Sequence, residues 1–211
     1  ALDIGCGVGD YALGLAREGY KTTGIDLSDG MIHGAKQLAD TEGLDVSLYI
    51  APWSEETRQR LGWNKTFDLA YSIFCPIMFD VENIRAMHDA SHDTCLWIAF
   101  SERMDETVDM LSEHFFGRDS FPWAGKLKEC LDAIHEIGHN VKVTYKTVPE
   151  TEVMSLDKAV DYFTMRLHNN EWGTMEDMKR EIRQLIEPRA IDGKIHNKTV
   201  DTVAWVSWSV K

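Results

Sequence analysis

The sequence predicts an α/β fold built on a mostly parallel sheet, and three observations carry that expectation. Over roughly the first 100 residues, short β-like runs alternate with helical patterns, the order that lays helices against parallel strands. One of those runs, Phe67–Phe74, is apolar almost without interruption, as a strand covered on both faces should be. The chain also opens on Ala1-Leu2-Asp3-Ile4, the second half of a buried strand, and passes straight into a glycine-rich turn.

The elements follow in order. Ala1–Ile4 is a strand stub, and Tyr11–Glu18 a helix with Leu13, Leu15 and Ala16 available to pack. Lys21–Ile25 is the second strand, and Met31–Thr41 a helix for which Ser28 or Asp29 is placed as N-cap. Val46–Ile50 is the third strand, Glu55–Leu61 a short helical turn, and Phe67–Phe74 the fourth strand. Asn83–Ala90 is helical and Thr94–Phe100 is the fifth strand. Glu106–Phe115 then reads as a helix, Gly117–Gly125 as an aromatic-rich connection, and Lys126–Ile137 as a helix closed by Gly138. Val141–Val148 alternates like a strand, and two helices follow at Leu156–Leu167 and Met175–Ile186, the latter ended by Pro188. Thr199–Val210 is a long alternating strand, with Ala204, Val206, Trp208 and Val210 on one face and Val203 and Trp205 on the other.

Composition narrows the function. The chain has 211 residues, 22 Lys+Arg against 35 Asp+Glu for a net charge of −13, 44% apolar residues and 27% charged ones. That is enough apolar chain for a sizeable core, which excludes a disordered or collagen-like polymer. The acid excess weighs against nucleic acid and anionic membrane as partners, because binding phosphate needs clustered Lys and Arg. No apolar run approaches the roughly 18–20 residues needed to cross a bilayer. Cys6, Cys75, Cys95 and Cys130 are widely spread, so reduced thiols in a cytoplasmic protein are expected. We expect a single domain over 1–211, with residues 150–197 as a helical insertion before the last strand. Because the first strand has no lead-in, a segment preceding it is expected to be missing from view. A homodimer is left open.

The strongest signal is Asp3-Ile4-Gly5-Cys6-Gly7-Val8-Gly9, a strand running into a glycine loop and then a helix. Glycines there let the backbone turn sharply and let a ligand approach without a Cβ in the way. The helix that follows offers unpaired N–H groups to a polar or anionic ligand. A dinucleotide loop, Gly-x-Gly-x-x-Gly, would put its third glycine at position 10, which is Asp10 here. The spacing is instead Asp-x-Gly-x-Gly-x-Gly. That stretch resembles the first motif of the class I S-adenosylmethionine-dependent methyltransferases, an acid followed by alternating glycines.

The resemblance implies a Rossmann-like three-layer sandwich, its seven-stranded sheet mostly parallel with the last strand antiparallel, and S-adenosylmethionine as cofactor. It extends over about residues 1–149 and 199–211. Asp3, Gly5, Gly7 and Gly9 would cradle the cofactor. Asp26, at the tip of the second strand, can accept hydrogen bonds from the two ribose hydroxyls. Ser28 through Met31 resembles the stretch where an apolar side chain packs beside the adenine, and Leu27 and Met31 are expected to bind the cofactor. Pro52 and Trp53 stand in the adenine loop without the family's frequent Asp; Trp53 could edge the purine or plug the core. Phe67–Ser72 resembles the fourth motif, whose carboxyl end meets methyl donor and substrate, with Ser72 beside the cofactor. Tyr71, Ser72 and Cys75 are the candidate catalytic residues, although the chemistry needs no dedicated base when the acceptor is held at near-attack distance.

Weaker patterns remain. Cys130, His135 and His139 do not share a helix face cleanly, and no metal site is expected. His88 and His92 are separated by the expected helix end. Phe115, Phe116, Phe121, Trp123, Tyr162, Phe163 and Trp172 suggest a covering lid with Arg166 and His168 on it. The function expected is methyl transfer to a small-molecule nucleophile. The alternatives are a non-catalytic cofactor-binding sensor and, disfavoured by the glycine spacing, a nicotinamide-dependent oxidoreductase.

Overall fold

The computed structural model describes residues 1–117, 125–168 and 172–211. Its sheet is organised around β1 (Leu2–Ile4), every residue of which is buried. β1 runs parallel to β2 (Thr22–Asp26) on one side and to β4 (Phe67–Ile73) on the other, so that Asp3 lies level with Gly24 and with Tyr71. β3 (Val46–Ile50) pairs parallel with β2, and β5 (Ser91–Asp105) pairs parallel with β4. With β6 (His139–Ser155) and β7 (Lys194–Ser209) the sheet has seven strands in the order β3-β2-β1-β4-β5-β7-β6. The sheet is mostly parallel, antiparallel at its end, and flanked by helices, the Rossmann-like arrangement expected.

The helices are α1 (Asp10–Arg17), α2 (Asp29–Glu42), α3 (Glu55–Arg60), α4 (Val81–Ala90), α5 (Glu106–Phe116), α6 (Lys126–Ile137), α7 (Leu156–Leu167) and α8 (Met175–Ile186). Most begin on a side-chain cap, which supplies an acceptor to the unpaired N–H groups of the first turn. Ser28 accepts from the Met31 N–H, Ser54 from Thr57, Asp80 from Glu82 and Asn83, and Thr174 from Asp177. α1 and α6 are different: their caps are Gly9 and Gly125, which have no side chain to give.

The chain divides into two compact units. The first comprises Ala1–Phe100, Gly125–Tyr145 and Val203–Lys211; the second comprises Ser101–Ala124 and Lys146–Thr202. The second unit includes the stretch 150–197 and takes in further chain on both sides of it, together with a second stretch. The reason lies in β5, β6 and β7, which run on past their apolar stretches and contribute residues to both units.

In the first unit the core is built from Leu2, Ile4, Leu13, Ile32, Met87 and Trp97, each at most 1% exposed. The alternation of β7 takes the expected sense there, with Ala204, Val206 and Trp208 buried and Trp205 48% exposed. Burying each large apolar side chain contributes roughly 1.5–3 kcal/mol. Trp208 donates its indole N–H to His88 Nδ1 at 3.2 Å. Its ring lies so close to Gly138 that a Cβ at that position would stand 2.6 Å from it. Gly138 therefore closes α6 and makes room for Trp208.

The second unit has its own core, in which Leu111 of α5, Phe163 of α7, and Met178, Ile182 and Ile186 of α8 are fully buried. At its base sits Asp105, 1% exposed. Its carboxylate caps α5 through the Val108 N–H (3.0 Å) and accepts from Asn197 Nδ2 (3.1 Å) and Arg166 Nη1 (2.9 Å). A buried carboxylate is tolerable only with such partners. Among the described residues, no helix is long and apolar enough to cross a membrane.

Candidate cofactor and acceptor site

The chain leaves β1 where the order of the sheet reverses, β2 lying on one side and β4 on the other, and such crevices at strand carboxyl ends are where open α/β sheets bind ligands. The loop is held by Gly5 and Cys6, whose N–H groups both reach the Ile25 carbonyl, at 2.8 and 3.1 Å. Gly5, Gly7 and Gly9 have φ values of 75, 55 and 87°, the left-handed region that penalises a Cβ. Space adds a separate reason at two of them. A Cβ on Gly5 would meet Cys75 Sγ at 2.4 Å, and one on Gly9 would crowd Ala35 at 3.2 Å. A Cβ on Gly7 would meet nothing within 4 Å. Gly5 and Gly9 are therefore packing positions, whereas Gly7 presents bare backbone to open space.

Asp26 stands directly beside it. Its Oδ2 accepts from the Gly7 N–H at 2.9 Å and its Oδ1 from the Ser28 N–H at 2.8 Å. Each oxygen keeps a second lone pair, so the carboxylate can accept two more hydrogen bonds from a diol. The adjoining loop is tied to the same residue, since the Ala51 N–H reaches the Asp26 carbonyl at 3.0 Å. Around this point the surface is apolar. Leu27 is 73% exposed, Met31 46% and Ile50 50%, and Pro52 is exposed as well. A carboxylate, bare backbone and an apolar rim fit a nucleoside that carries a ribose.

Three expected residues have other roles. Trp53 is only 5% exposed and gives its indole N–H to the Asn83 carbonyl at 3.1 Å, so it plugs the core and leaves little ring face for adenine. Ser72 is fully buried, and its hydroxyl donates to the Ile4 carbonyl at 2.8 Å. It ties β4 to β1, which leaves the hydroxyl engaged within the sheet. Tyr71 is 3% exposed, and burial beside Asp3 raises its phenol far above the ordinary value.

Asp3 acts from beneath the loop. It is 2% exposed, and burial pushes its carboxyl up to about 7, with the Tyr71 hydroxyl and the Ala12 N–H pulling the other way. Among the described residues its Oδ2 and the Tyr71 hydroxyl lack a hydrogen-bond partner of ordinary geometry. Buried to this degree, Asp3 can position the glycine loop. Cys75 is the one catalytic candidate with some exposure, but burial raises its thiol too, which keeps it protonated and poorly nucleophilic. Its side chain instead fills the space left by Gly5.

One residue escaped the sequence reading. Phe74, immediately after β4, has φ 54° and is 43% exposed, while its N–H extends the ladder to the Ile98 carbonyl at 2.8 Å. Its ring stacks on Phe100 with centroids 4.5 Å apart and planes at 22°. The left-handed backbone costs a bulky residue about 1–2 kcal/mol, and a stacked pair returns about 0.5–1.5 kcal/mol. No glycine or asparagine marks the turn, so nothing in the sequence announces it.

The remaining patterns are structural. Cys130 is buried, with its thiol pushed up to about 12 and directed at the Met78 carbonyl, while His135 and His139 are exposed. Arg166 is engaged by Asp105 and by the Tyr162 hydroxyl at 2.8 Å. Phe115 and Phe163 are core residues; Phe121 and Trp123 lie outside the described residues.

Residues 1–95 match the methyltransferase domain family. A provisionally named methyltransferase of Geobacillus sp. (strain WCH70) is 34% identical over 74 residues, 35% of this chain and 28% of that protein. The chain spans between 13% and 65% of the length of the curated relatives it matches. Among solved structures, a provisionally named methyltransferase of Bacillus halodurans C-125 is 12% identical, with a TM-score of 0.63 over 99% of this chain and 91% of that one. The geranyl diphosphate C-methyltransferase of Streptomyces coelicolor A3(2), solved with Mg2+, geranyl diphosphate and S-adenosyl-L-homocysteine, is 15% identical, with a TM-score of 0.53 over 100% of this chain and 71% of that one. The glycine loop, the acid after β2 and the strand order agree with these likenesses: residues 1–95 match a methyltransferase domain, and the chain has the Rossmann-like fold of the class I S-adenosylmethionine-dependent methyltransferases.

Proposed function

We propose that this protein transfers a methyl group from S-adenosylmethionine to a nucleophile on a small molecule, and that residues 1–211 act as one methyltransferase domain. The observation that carries the cofactor's place is the Gly7–Asp26 pair, bare backbone joined by one hydrogen bond to a carboxylate that has acceptor capacity to spare. In this reading Asp26 holds the ribose hydroxyls, Leu27 and Met31 flank the adenine, and Gly7 faces the methionine end of the ligand. Bound there, the cofactor supplies a methyl group already activated by a positively charged sulfur. The chain then has to hold an acceptor in line and exclude water, for which orientation suffices. That accords with Tyr71, Ser72 and Cys75 offering no exposed base. A net charge of −13 and the small acceptor bound by the Streptomyces enzyme support a small molecule. Four free cysteines, three of them buried, support a cytoplasmic setting.

Calorimetry tests the cofactor half. S-adenosylhomocysteine should bind while NAD(P) does not, and Asp26→Ala should weaken binding by roughly 100-fold or more, since two hydrogen bonds to a charged group are lost. Unchanged binding by Asp26→Ala sinks the ribose assignment. Methyl transfer from labelled cofactor into a metabolite extract tests the other half; binding without transfer favours a sensor, and label entering only RNA refutes the small-molecule acceptor.

A further inference from the structure

Among the described residues, two aromatic pairs join the β4 region to β5, and they differ in kind. Phe79 and Trp97 meet edge to face at 5.3 Å and 72°, and both are buried, 9% and 0% exposed. That is an ordinary core contact. Phe74 and Phe100 lie nearly parallel at 22°, and Phe74 remains 43% exposed on a backbone that suits glycine. A glycine would satisfy that turn without strain, and a polar residue would suit the exposure. Residues held in a strained backbone conformation cluster at ligand sites, and here the strained residue also carries an exposed ring. The position agrees: Phe74 precedes Cys75, whose sulfur lies against Gly5 of the cofactor loop. The ring thus stands one residue from the wall of the cofactor site, at the carboxyl end of the central strands.

We propose that Phe74, seated on Phe100, is the specificity-determining surface for the methyl acceptor, and that the acceptor carries a planar aromatic or heteroaromatic ring. The proposal rests on the methyltransferase reading, which it deepens by naming the acceptor class. Near-parallel rings extend a flat π surface onto which a third ring can stack, an interaction that a saturated group of the same size cannot reproduce. Phe74 touches the acceptor without taking part in bond making, so it acts on acceptor affinity and not on cofactor affinity.

The probes are 2-naphthol and its saturated counterpart decahydro-2-naphthol, titrated by calorimetry into the full chain with and without saturating S-adenosylhomocysteine. The wild type should prefer 2-naphthol by about tenfold, and Phe74→Gly should weaken it by about tenfold. Phe74→Gly should also leave S-adenosylhomocysteine affinity unchanged and the unfolding midpoint at or above wild type, because glycine relieves the φ strain. Phe74→Leu, which keeps bulk without a π face, should lose the preference as well. Equal binding of the two probes, or 2-naphthol binding untouched by both substitutions, overturns the proposal. Failure of S-adenosylhomocysteine to bind overturns the cofactor reading alone, since the titrations without it still decide whether the ring surface selects aromatics.

Discussion

Asp3 sets up a measurable conflict between folding and charge. Its carboxyl is 2% exposed and its value is raised from 3.8 to about 7, so the folded protein keeps a proton that the unfolded chain releases. A carboxyl raised in this way stabilises nothing when ionised. Its penalty is absent below the unfolded value, grows as pH rises from 3.8, and is complete above about 7. A shift of that size corresponds to about 4 kcal/mol at about 1.36 kcal/mol per unit. Most of the change that can be followed conveniently, roughly 2–3 kcal/mol, falls between about pH 5 and pH 8. Asp3→Asn cannot ionise, so its stability relative to wild type should improve by that amount across the interval. Urea unfolding of both proteins at the two pH values measures the difference. His88, whose burial lowers its own value and which destabilises the fold as pH falls below 6.5, cancels because both proteins carry it. A gap between the two proteins that is the same at both pH values would refute the burial argument, whatever its absolute size.

Two further substitutions probe packing in each unit. Gly138→Ala should destabilise by about 1–3 kcal/mol in thermal unfolding, because its Cβ would lie 2.6 Å from the buried Trp208 ring; a neutral effect would mean that the ring can shift. Arg166→Met should cost about 2–4 kcal/mol by stranding the buried Asp105 carboxylate, and adding Asp105→Asn should recover part of that loss; no recovery would show that the charge was not the cause.

The helices were the most legible part of the sequence. α6, α7 and α8 lie on the residues expected, since each has a periodic apolar face and a defined cap or stop. The long strands were less so. β5 was expected to stop at Phe100 yet reaches Asp105 through Ser101-Glu102-Arg103-Met104, a polar stretch with no strand signature. What sustains it is distant in sequence: Ser101 bonds the Thr202 carbonyl and Arg103 pairs with Asp201. At the site, the glycine loop and Asp26 were readable because backbone geometry demands particular residue types at fixed spacing. Ser72 and Trp53 were not, because a hydroxyl or an indole at a strand end looks the same whether it faces a ligand or ties two elements together. Phe74 was hidden for the opposite reason, a left-handed residue without the glycine that usually betrays one.

The strand order carries a consequence for biosynthesis. β7 lies between β5 and β6 in the sheet but follows β6 in the chain. When β6 emerges from the ribosome, its eventual neighbour has yet to be translated, and it must wait while α7 and α8 are made. Over that interval a 17-residue strand has its hydrogen-bonding edges open, the condition that invites mispairing with other nascent chains. Lys142, Lys146, Pro149, Glu150 and Glu152 punctuate that strand with charge and a missing donor, which makes it a poor template for a stranger while its own partner is on the way.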